Sequence, residues 1–152
     1  MKRTSYADMP CPMAQTLERV GEWWSLLILR DAMFRGLTRY SDFMRTLEIA
    51  PNILAKRLAG FVEAGLMAQG SDGEYRLTEK GADLLPAMLA LRQWGAKHQL
   101  GVESNPVLTD RRDNLPIAPI AIHAADGREI GWHELQWRDQ SEVGQSGEGC
   151  CD

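Results

Sequence analysis

The segment spanning residues 36–77 constrains the fold more than any other part of the chain, because two short amphipathic helices and a hairpin follow one another there with little intervening chain. The first helix is predicted over residues 39–47, where apolar side chains recur at positions i, i+3, i+4 and i+7. These are Tyr40, Phe43, Met44 and Leu47. Residues 48–50 then leave room only for a tight turn.

Pro51 is expected to begin a second helix, since its fixed φ and missing N–H suit the first helical position. Helical spacing directs four apolar residues inward, namely Leu54, Leu58, Phe61 and Val62. The same spacing leaves Asn52, Ile53, Lys56, Arg57 and Gly60 on the outside. Gly65 is suited to the left-handed position just after the helix ends.

Residues 66–77 contain two short strand-like runs around Asp72 and Gly73, a dipeptide that is common in hairpin turns. The order helix, turn, helix and hairpin predicts a winged helix-turn-helix. The fold class is therefore mainly α with a small β-wing, in which one helix is presented to a DNA groove.

Several spaced motifs extend this pattern over residues 9–98, and together they resemble the HxlR-type winged-helix transcriptional regulators of bacteria. The motifs lie at residues 21–24, 27–31, 36–43, 54–58, 63–66 and 74–81, and at Trp94. The resemblance implies DNA binding and a homodimer formed by the last long helix and the N-terminal region. A helix pair with a short turn would by itself be a weak indication, because such pairs are common in proteins that never touch DNA.

Length and composition are consistent with one sizeable core, since the chain has 152 residues and 44% hydrophobic content. It contains neither a run of 18 apolar residues nor a basic and then apolar leader, so we expect a cytoplasmic protein with no membrane partner. Three cysteines without regular spacing favour a reducing compartment over a disulfide framework.

The net charge of −4 becomes compatible with a DNA partner once it is divided along the chain. Residues 1–100 carry 13 basic and 11 acidic side chains, whereas residues 101–152 carry 4 and 10. Residues 35–60 carry five basic side chains and two acidic ones, a local patch suited to phosphates. Charge alone is equally compatible with an ordinary solvated helical face.

The second helix provides the predicted base contacts. The side chains of Asn52 and Lys56 can reach purine edges, and Ile53 can touch a thymine methyl group. Asn52 could instead serve only at the helix start. The predicted DNA-binding residues are Arg39, Tyr40, Pro51, Asn52, Ile53, Lys56, Arg57 and Arg76.

Arg39, Arg57 and Arg76 are assigned to phosphates, where they set the register without specifying the sequence. The alternative for Arg76 is a solvent-exposed cross-strand pair with an acid.

Cys11 precedes Pro12, so it is predicted at the N-cap of a helix, where partial positive charge favours the thiolate. In some members of the resembled family a cysteine near this position senses oxidants, quinones or aldehydes. The alternative is an ordinary buried cysteine. Trp23 and Trp24 lie on a very apolar helix predicted to be central, and they could line an effector pocket, although packing is the commoner role of such a pair.

A last long helix is predicted from Thr78, its N-cap, through residues 82–99, with a bend at Pro86. Its apolar stripe is the predicted dimer interface, because little core remains for it to cover within one subunit. The stripe comprises Leu84, Leu85, Met88, Leu91 and Trp94.

Residues 101–140 are predicted to form a small β-hairpin extension, with strands at 117–123 and 128–134, and residues 141–152 a disordered acidic tail. Cys150 and Cys151, with His123 and His133, lack the spacing of a metal site. We therefore expect no cofactor and no metal, and the chain carries no enzyme motif.

The predicted function is a dimeric regulator, acting as a repressor on a pseudo-palindromic operator and responsive to a redox, electrophile or small-molecule signal. A different class of function also remains open, a winged-helix interaction or dimer scaffold that has lost DNA binding. An enzyme built on the C-terminal hairpin is a third, weaker alternative.

Overall fold

A computed structural model of the protein describes residues 5–6, 8–100, 107–138 and 140–143. The chain divides into two compact units, the first ending at Val107 and the second beginning at Leu108. No helix in the described ranges is long and apolar enough to cross a membrane.

The first unit is mainly helical and carries one small antiparallel sheet. Its helices are α1 (Pro12–Val20), α2 (Trp23–Arg35), α3 (Tyr40–Leu47), α4 (Pro51–Glu63), α5 (Glu79–Ala82) and α6 (Leu85–Gly95). Strands β1 (Met67–Gln69) and β2 (Tyr75–Leu77) pair with Met67 opposite Leu77. This is the predicted winged helix-turn-helix, and the fold class is confirmed.

The core forms around α2, which packs against α1, α3, α6 and β2. Ile28 and Leu29 are fully buried there beside Phe43 of α3 and Leu54 and Leu58 of α4. The prediction that α2 is central is correct. The helix is not covered on every side, however, since Trp23 is 72% exposed.

The turn between α3 and α4 is as short as predicted. Glu48 adopts a left-handed conformation with φ of 51°, and Ile49 tucks into the core between the two helices. All four predicted residues of the inner face of α3 pack on the core. On α4 the inward prediction is wrong for Val62, which is 39% exposed, because it lies to one side of the buried line formed by the other three residues.

Gly65 terminates α4 as predicted, with φ of +68°. Its N–H donates to the carbonyl of Val62 at 3.0 Å, and the next N–H, from Leu66, donates to Phe61 at 2.9 Å. These two bonds are those of a Schellman motif, which requires the left-handed residue that glycine supplies at little cost. The motif turns the chain directly into β1.

The helical segment after the wing differs from the single bent helix that was predicted. Thr78 does cap it, since its Oγ1 accepts a hydrogen bond from Gly81 N at 3.1 Å. However, α5 ends at Ala82 and α6 starts at Leu85, so the helix is interrupted before Pro86 and does not continue through a bend there. A proline fits the first turn of a new helix better than the interior of a continuous one. Residues Ala96–Leu100 continue as a π-helical turn.

The second unit does not contain the predicted β-hairpin strands. The expected turn is present, because Gly127 has φ of +87° and the Ala124 N–H donates to the Arg128 carbonyl at 2.8 Å. Pairing stops at an isolated bridge between His123 and Glu129, and residues Trp132–Glu134 form a 3₁₀ turn.

The first predicted strand in the second unit is interrupted by Pro119, which removes a donor that strand pairing needs. A second isolated bridge joins Thr109 and Pro116. A short 3₁₀ turn follows at Gln140–Glu142, and the rest of the predicted disordered tail, residues 144–152, lies outside the described residues.

Candidate nucleic-acid interface

The exposed side of α4 presents the two side chains predicted to contact bases. The side chains of Asn52 and Lys56 are both exposed, and neither side chain has a hydrogen bond or ion pair with another described residue. The N-cap of α4 is Ala50, so Asn52 occupies the second helical position and does not cap the helix. Both polar groups are therefore available to a ligand that approaches this face.

The start of α4 is held in place by α3. Tyr40 donates a hydrogen bond from its hydroxyl to the Pro51 carbonyl at 2.7 Å, across the turn of the helix-turn-helix. Pro51 itself is exposed, whereas Ile53 is half-buried and packs on the core. Tyr40 thus packs on the core as its spacing predicted and also positions α4, whereas the packing of Ile53 corrects its predicted place on the outside of the helix.

Arg57 is placed differently from the exposed position that was predicted. Its guanidinium Nη2 lies 3.0 Å from Glu22 Oε2, and the two side chains are only 21% and 29% exposed. Glu22 is the N-cap residue of α2, so this ion pair joins α4 to the start of the central helix. The buried Nε atom of Arg57 has no hydrogen-bond partner among the described residues.

The arginines assigned to phosphates near the wing form a cluster with two acids. Glu74 accepts hydrogen bonds from Arg39 Nε at 2.9 Å, Thr38 Oγ1 at 3.0 Å and Arg76 Nη2 at 2.7 Å. Arg76 also binds Asp72, with Nη2 2.6 Å from Oδ2. We call Thr38, Arg39, Asp72, Glu74 and Arg76 the wing cluster.

The wing cluster stabilises the charged form of each acid. Hydrogen bonding from Arg76 lowers the pKa of Asp72 from 3.8 to about 2, and hydrogen bonds from Arg39 and then Thr38 lower the pKa of Glu74. The same contacts raise the pKa of both arginines. Arg39 and Arg76 nevertheless remain 69% and 50% exposed, so each retains N–H groups that can face a phosphate.

A backbone hydrogen bond fixes the wing cluster to the helix-turn-helix. Tyr75 N donates to the Thr38 carbonyl at 2.7 Å, immediately before α3 begins. Since Glu74 and Arg76 are two residues apart on an extended chain, their side chains emerge on the same side of the wing. Arg76 does pair with acids, but these are Asp72 and Glu74 just before it in the chain and not a cross-strand residue, since Ala68 lies opposite Arg76. Glu74 also contacts Arg39 across 35 positions of sequence.

Sequence interpretation missed Thr38, Asp72, Glu74 and Glu22 as parts of this face. The alternation of Asp72, Glu74 and Arg76 along the hairpin could have indicated the local ion pairs. No sequence pattern indicated Glu22, because its contact with Arg57 joins distant segments.

Cys11 lies where it was predicted, at the N-cap of α1, and it is a half-buried free cysteine. Its N–H donates to the Met9 carbonyl at 2.8 Å, and its carbonyl accepts from Gln15 N at 3.0 Å. Trp23 and Trp24 contact each other with ring centroids 5.6 Å apart. Trp24 packs on the core, and Trp23 is exposed.

The predicted dimer stripe divides into an inner and an outer set of residues. Met88 is 8% exposed, and Leu84 packs on the core within the same subunit. Leu85, Leu91 and Trp94 are 42%, 55% and 57% exposed, so an apolar surface of α6 remains uncovered in the single chain.

The described residues contain no group of three or more histidine, cysteine, aspartate or glutamate side chains placed to hold a metal ion. Cys150 and Cys151 lie outside the described ranges.

A short helix pair with a tight turn, followed by a wing that is hydrogen-bonded to it, defines the winged helix-turn-helix class of protein. Residues 19–101 match the model of one family within that class, described as HxlR-like helix-turn-helix. The chain belongs to this HxlR-like family, as its motifs predicted.

Individual relatives agree with this assignment. Rv3095 of Mycobacterium tuberculosis, an uncharacterized helix-turn-helix transcriptional regulator, is 43% identical over 101 residues, which are 62% of this chain and 63% of that protein. The chain thus matches under two thirds of the length of this relative. The crystal structure of PA1607, a candidate transcription factor, has a TM-score of 0.80 and 39% identity, covering 89% of this chain and 99% of that one.

A third similar structure is the quinone-bound YodB from Bacillus subtilis. It has a TM-score of 0.52 and 27% identity, and the match covers 57% of this chain and 98% of YodB.

Proposed function

We propose that this protein is a homodimeric, sequence-specific DNA-binding repressor whose operator affinity responds to a redox, electrophile or small-molecule signal. The observation that carries the proposal is the pair Asn52 and Lys56, which are exposed and unpartnered in the described structure, on the helix that follows the turn. In a winged helix-turn-helix this helix enters the major groove. Amide and ammonium groups at its start can reach base edges there.

The wing cluster supports the division of the face into base and phosphate contacts. Arg39 lies at the start of α3 and Arg76 lies on the wing. Their exposed guanidiniums can bind the phosphate backbone of the DNA on either side of the groove. Glu74 holds both of them in a defined orientation, which reduces the side-chain entropy lost on binding.

The exposed apolar side chains of α6 support dimerisation. Leu85, Leu91 and Trp94 offer a surface that a second copy could cover, and large exposed apolar patches mark interaction sites. A symmetric dimer would present two α4 helices to a pseudo-palindromic operator with half-sites about 34–36 Å apart.

The position of Cys11 supports a thiol-based signal. It is half-buried, so a reagent can reach it, and it lies at a helix start where N–H groups stabilise an anionic sulfur. The similar YodB structure is quinone-bound, which favours electrophiles as the signal class for this chain. An adduct near the N-terminal region would change the spacing of the two α4 helices if that region joins the dimer.

The proposal is tested with duplexes from the region flanking the protein's own gene, because regulators often control neighbouring promoters. Fluorescence anisotropy should detect one duplex bound at least about 1,000-fold more tightly than scrambled DNA of the same length. Lys56→Ala should lose most of that preference, while Lys97→Ala, which removes an exposed lysine beyond the end of α6, should retain it.

The alternative function is a winged-helix interaction or dimer scaffold without DNA binding. Its supporting observation is that both wing arginines are already paired with carboxylates. Equal, weak binding of every duplex, with no effect of Lys56→Ala, would favour the scaffold.

A further inference from the structure

A cleft of about 580 Å³ opens between α2 and α6 in the first unit, away from α4 and the wing. Its apolar walls are formed by Leu26, Leu27 and Phe34 from α2 and by Met88, Leu91 and Trp94 from α6. The volume lies within the roughly 300–1,000 Å³ range of small-molecule sites in proteins. The cleft is the uncovered apolar side of the central helix, and it explains why that helix is apolar nearly all round.

The charge around the cleft has a single sign. Arg30, Arg35 and Arg92 line it, and none of its lining residues is an aspartate or glutamate. Three guanidiniums around an apolar floor create a positive potential that water screens less than it does on an open surface.

Two of these arginines, Arg30 and Arg35, share the carboxylate of Asp31, which is fully buried. Its Oδ1 atom lies 2.8 Å from Arg30 Nε and 3.5 Å from Arg35 Nε. One carboxylate is thus shared by two guanidiniums, which keeps both at the cleft and leaves an excess of positive charge there. Arg30 and Arg35 are still 38% and 54% exposed, so each can donate further hydrogen bonds.

We propose that this cleft binds a small amphipathic anion, an aromatic or aliphatic carboxylate whose apolar body lies between α2 and α6. Its carboxylate binds the arginines at the rim, because guanidiniums match carboxylates in geometry and charge. This ligand is separate from the thiol chemistry of Cys11, and its binding does not require DNA.

The position of the cleft indicates how such a ligand could act on the dimer. Leu91 and Trp94 belong both to the wall of the cleft and to the α6 surface proposed for dimerisation. A ligand there lies at the edge of the proposed subunit boundary and changes the packing of α6 against α2.

The test uses isothermal titration calorimetry of the full chain with naphthoate and with naphthamide, two molecules of nearly the same shape that differ in charge. We expect one naphthoate per chain, bound at least about tenfold more tightly than naphthamide. Arg92→Gln should lower the affinity for naphthoate at least about fivefold and leave the affinity for naphthamide unchanged. Arg111→Gln, which removes an exposed arginine from the second unit, is the matched control and should change neither.

A second variant blocks the cleft without relying on charge. Gly95 lines it, and a Cβ added there meets nothing within 4 Å. Gly95→Phe should abolish naphthoate binding, whereas Gly95→Ala should retain it, and both should unfold cooperatively on heating. Equal affinity for the two ligands, or unchanged binding in Gly95→Phe, would overturn the proposal.

A third result would also overturn it, namely naphthoate affinity that falls as the chain dimerises, because a second copy would then occupy the cleft. Since no step uses DNA, a chain that binds naphthoate but no operator would leave this site intact and reject only the proposed function.

Discussion

Arg57 in α4 and Glu22 at the start of α2 form an ion pair with an Nη2–Oε2 distance of 3.0 Å, largely shielded from solvent. The pair connects the helix proposed to enter the DNA groove with the helix at the centre of the core. Arg57 was predicted from sequence to bind phosphate, but its contact with Glu22 predicts that it orients α4.

The first prediction follows from that contact. Arg57→Ala should lower the free energy of unfolding by about 1–3 kcal/mol, because it removes an ion pair that is largely shielded from solvent. Lys56→Ala, one position earlier and exposed, should change it by less than about 0.5 kcal/mol. Denaturant unfolding of both variants gives the comparison, and equal stability of the two would show that the ion pair contributes nothing.

A second prediction separates base contacts from phosphate contacts. Asn52→Ala or Lys56→Ala should cost about 1–3 kcal/mol at the specific site and relax base preference. Arg39→Ala should weaken the binding of all DNA sequences similarly. It should also reduce the slope of log affinity against log salt concentration by about one. Anisotropy titrations at several salt concentrations measure both quantities. The division fails if all three variants lose specificity equally.

The third prediction concerns pH and the wing cluster. Because Arg76 lowers the pKa of Asp72 in the folded state from 3.8 to about 2, the carboxylate stabilises the fold when ionised. Its contribution should be complete above the unfolded pKa near 3.8 and disappear as pH falls through about 2.

Thermal unfolding of the native chain and of Asp72→Asn tests this across pH. The native chain should be more stable at pH values above about 5, and the difference should shrink towards zero as pH falls through about 2. A difference that grew on acidification would have the wrong sign for an ion pair with Arg76.

A fourth prediction follows from the division of the stripe on α6. Leu91→Glu should yield a folded monomer, because Leu91 is 55% exposed and belongs to the proposed dimer surface. Met88→Glu should instead lower the free energy of unfolding by about 3 kcal/mol or more, because it places a charge in the core. Leu115→Glu, an exposed leucine in the second unit, is the control. Sedimentation and circular dichroism distinguish these outcomes, and an intact Leu91→Glu dimer would contradict the interface.

The last prediction concerns Cys11 in a background with Cys150 and Cys151 changed to Ser. In that background Cys11 should react with a quinone faster than a cysteine in an unstructured peptide at neutral pH, since it lies at the N-cap of α1. Modification should weaken operator binding, and Cys11→Ser should bind DNA normally but ignore the quinone. Mass spectrometry measures the rate at which the adduct forms on Cys11, and a gel-shift assay measures the release of the operator DNA. A fully modified chain with native affinity would leave Cys11 as a packing residue.

Local rules accounted for most of the first unit. Four features each depend on contacts within a few residues, so they could be predicted from the neighbouring residues in the sequence. They are the tight turn, the proline at the start of α4, the end of α4 at Gly65 and the Thr78 cap. The same rules failed at residues 117–134, where apolar runs predicted strands. Short strands need a paired and covered partner to be stable, and here the pairing stops at one bridge.

The sequence by itself determined the order of elements, the family and which helix carries Asn52 and Lys56 outward, because helical periodicity and capping are local properties of the chain. Only the tertiary structure decided that Arg57 pairs with Glu22, that Arg39 and Arg76 share Glu74, and that α2 leaves one side open against α6. Each of these depends on residues far apart in sequence, and their distances are set by how helices pack around the core. The charge and exposure of a side chain are therefore properties of the folded neighbourhood as well as of the residue.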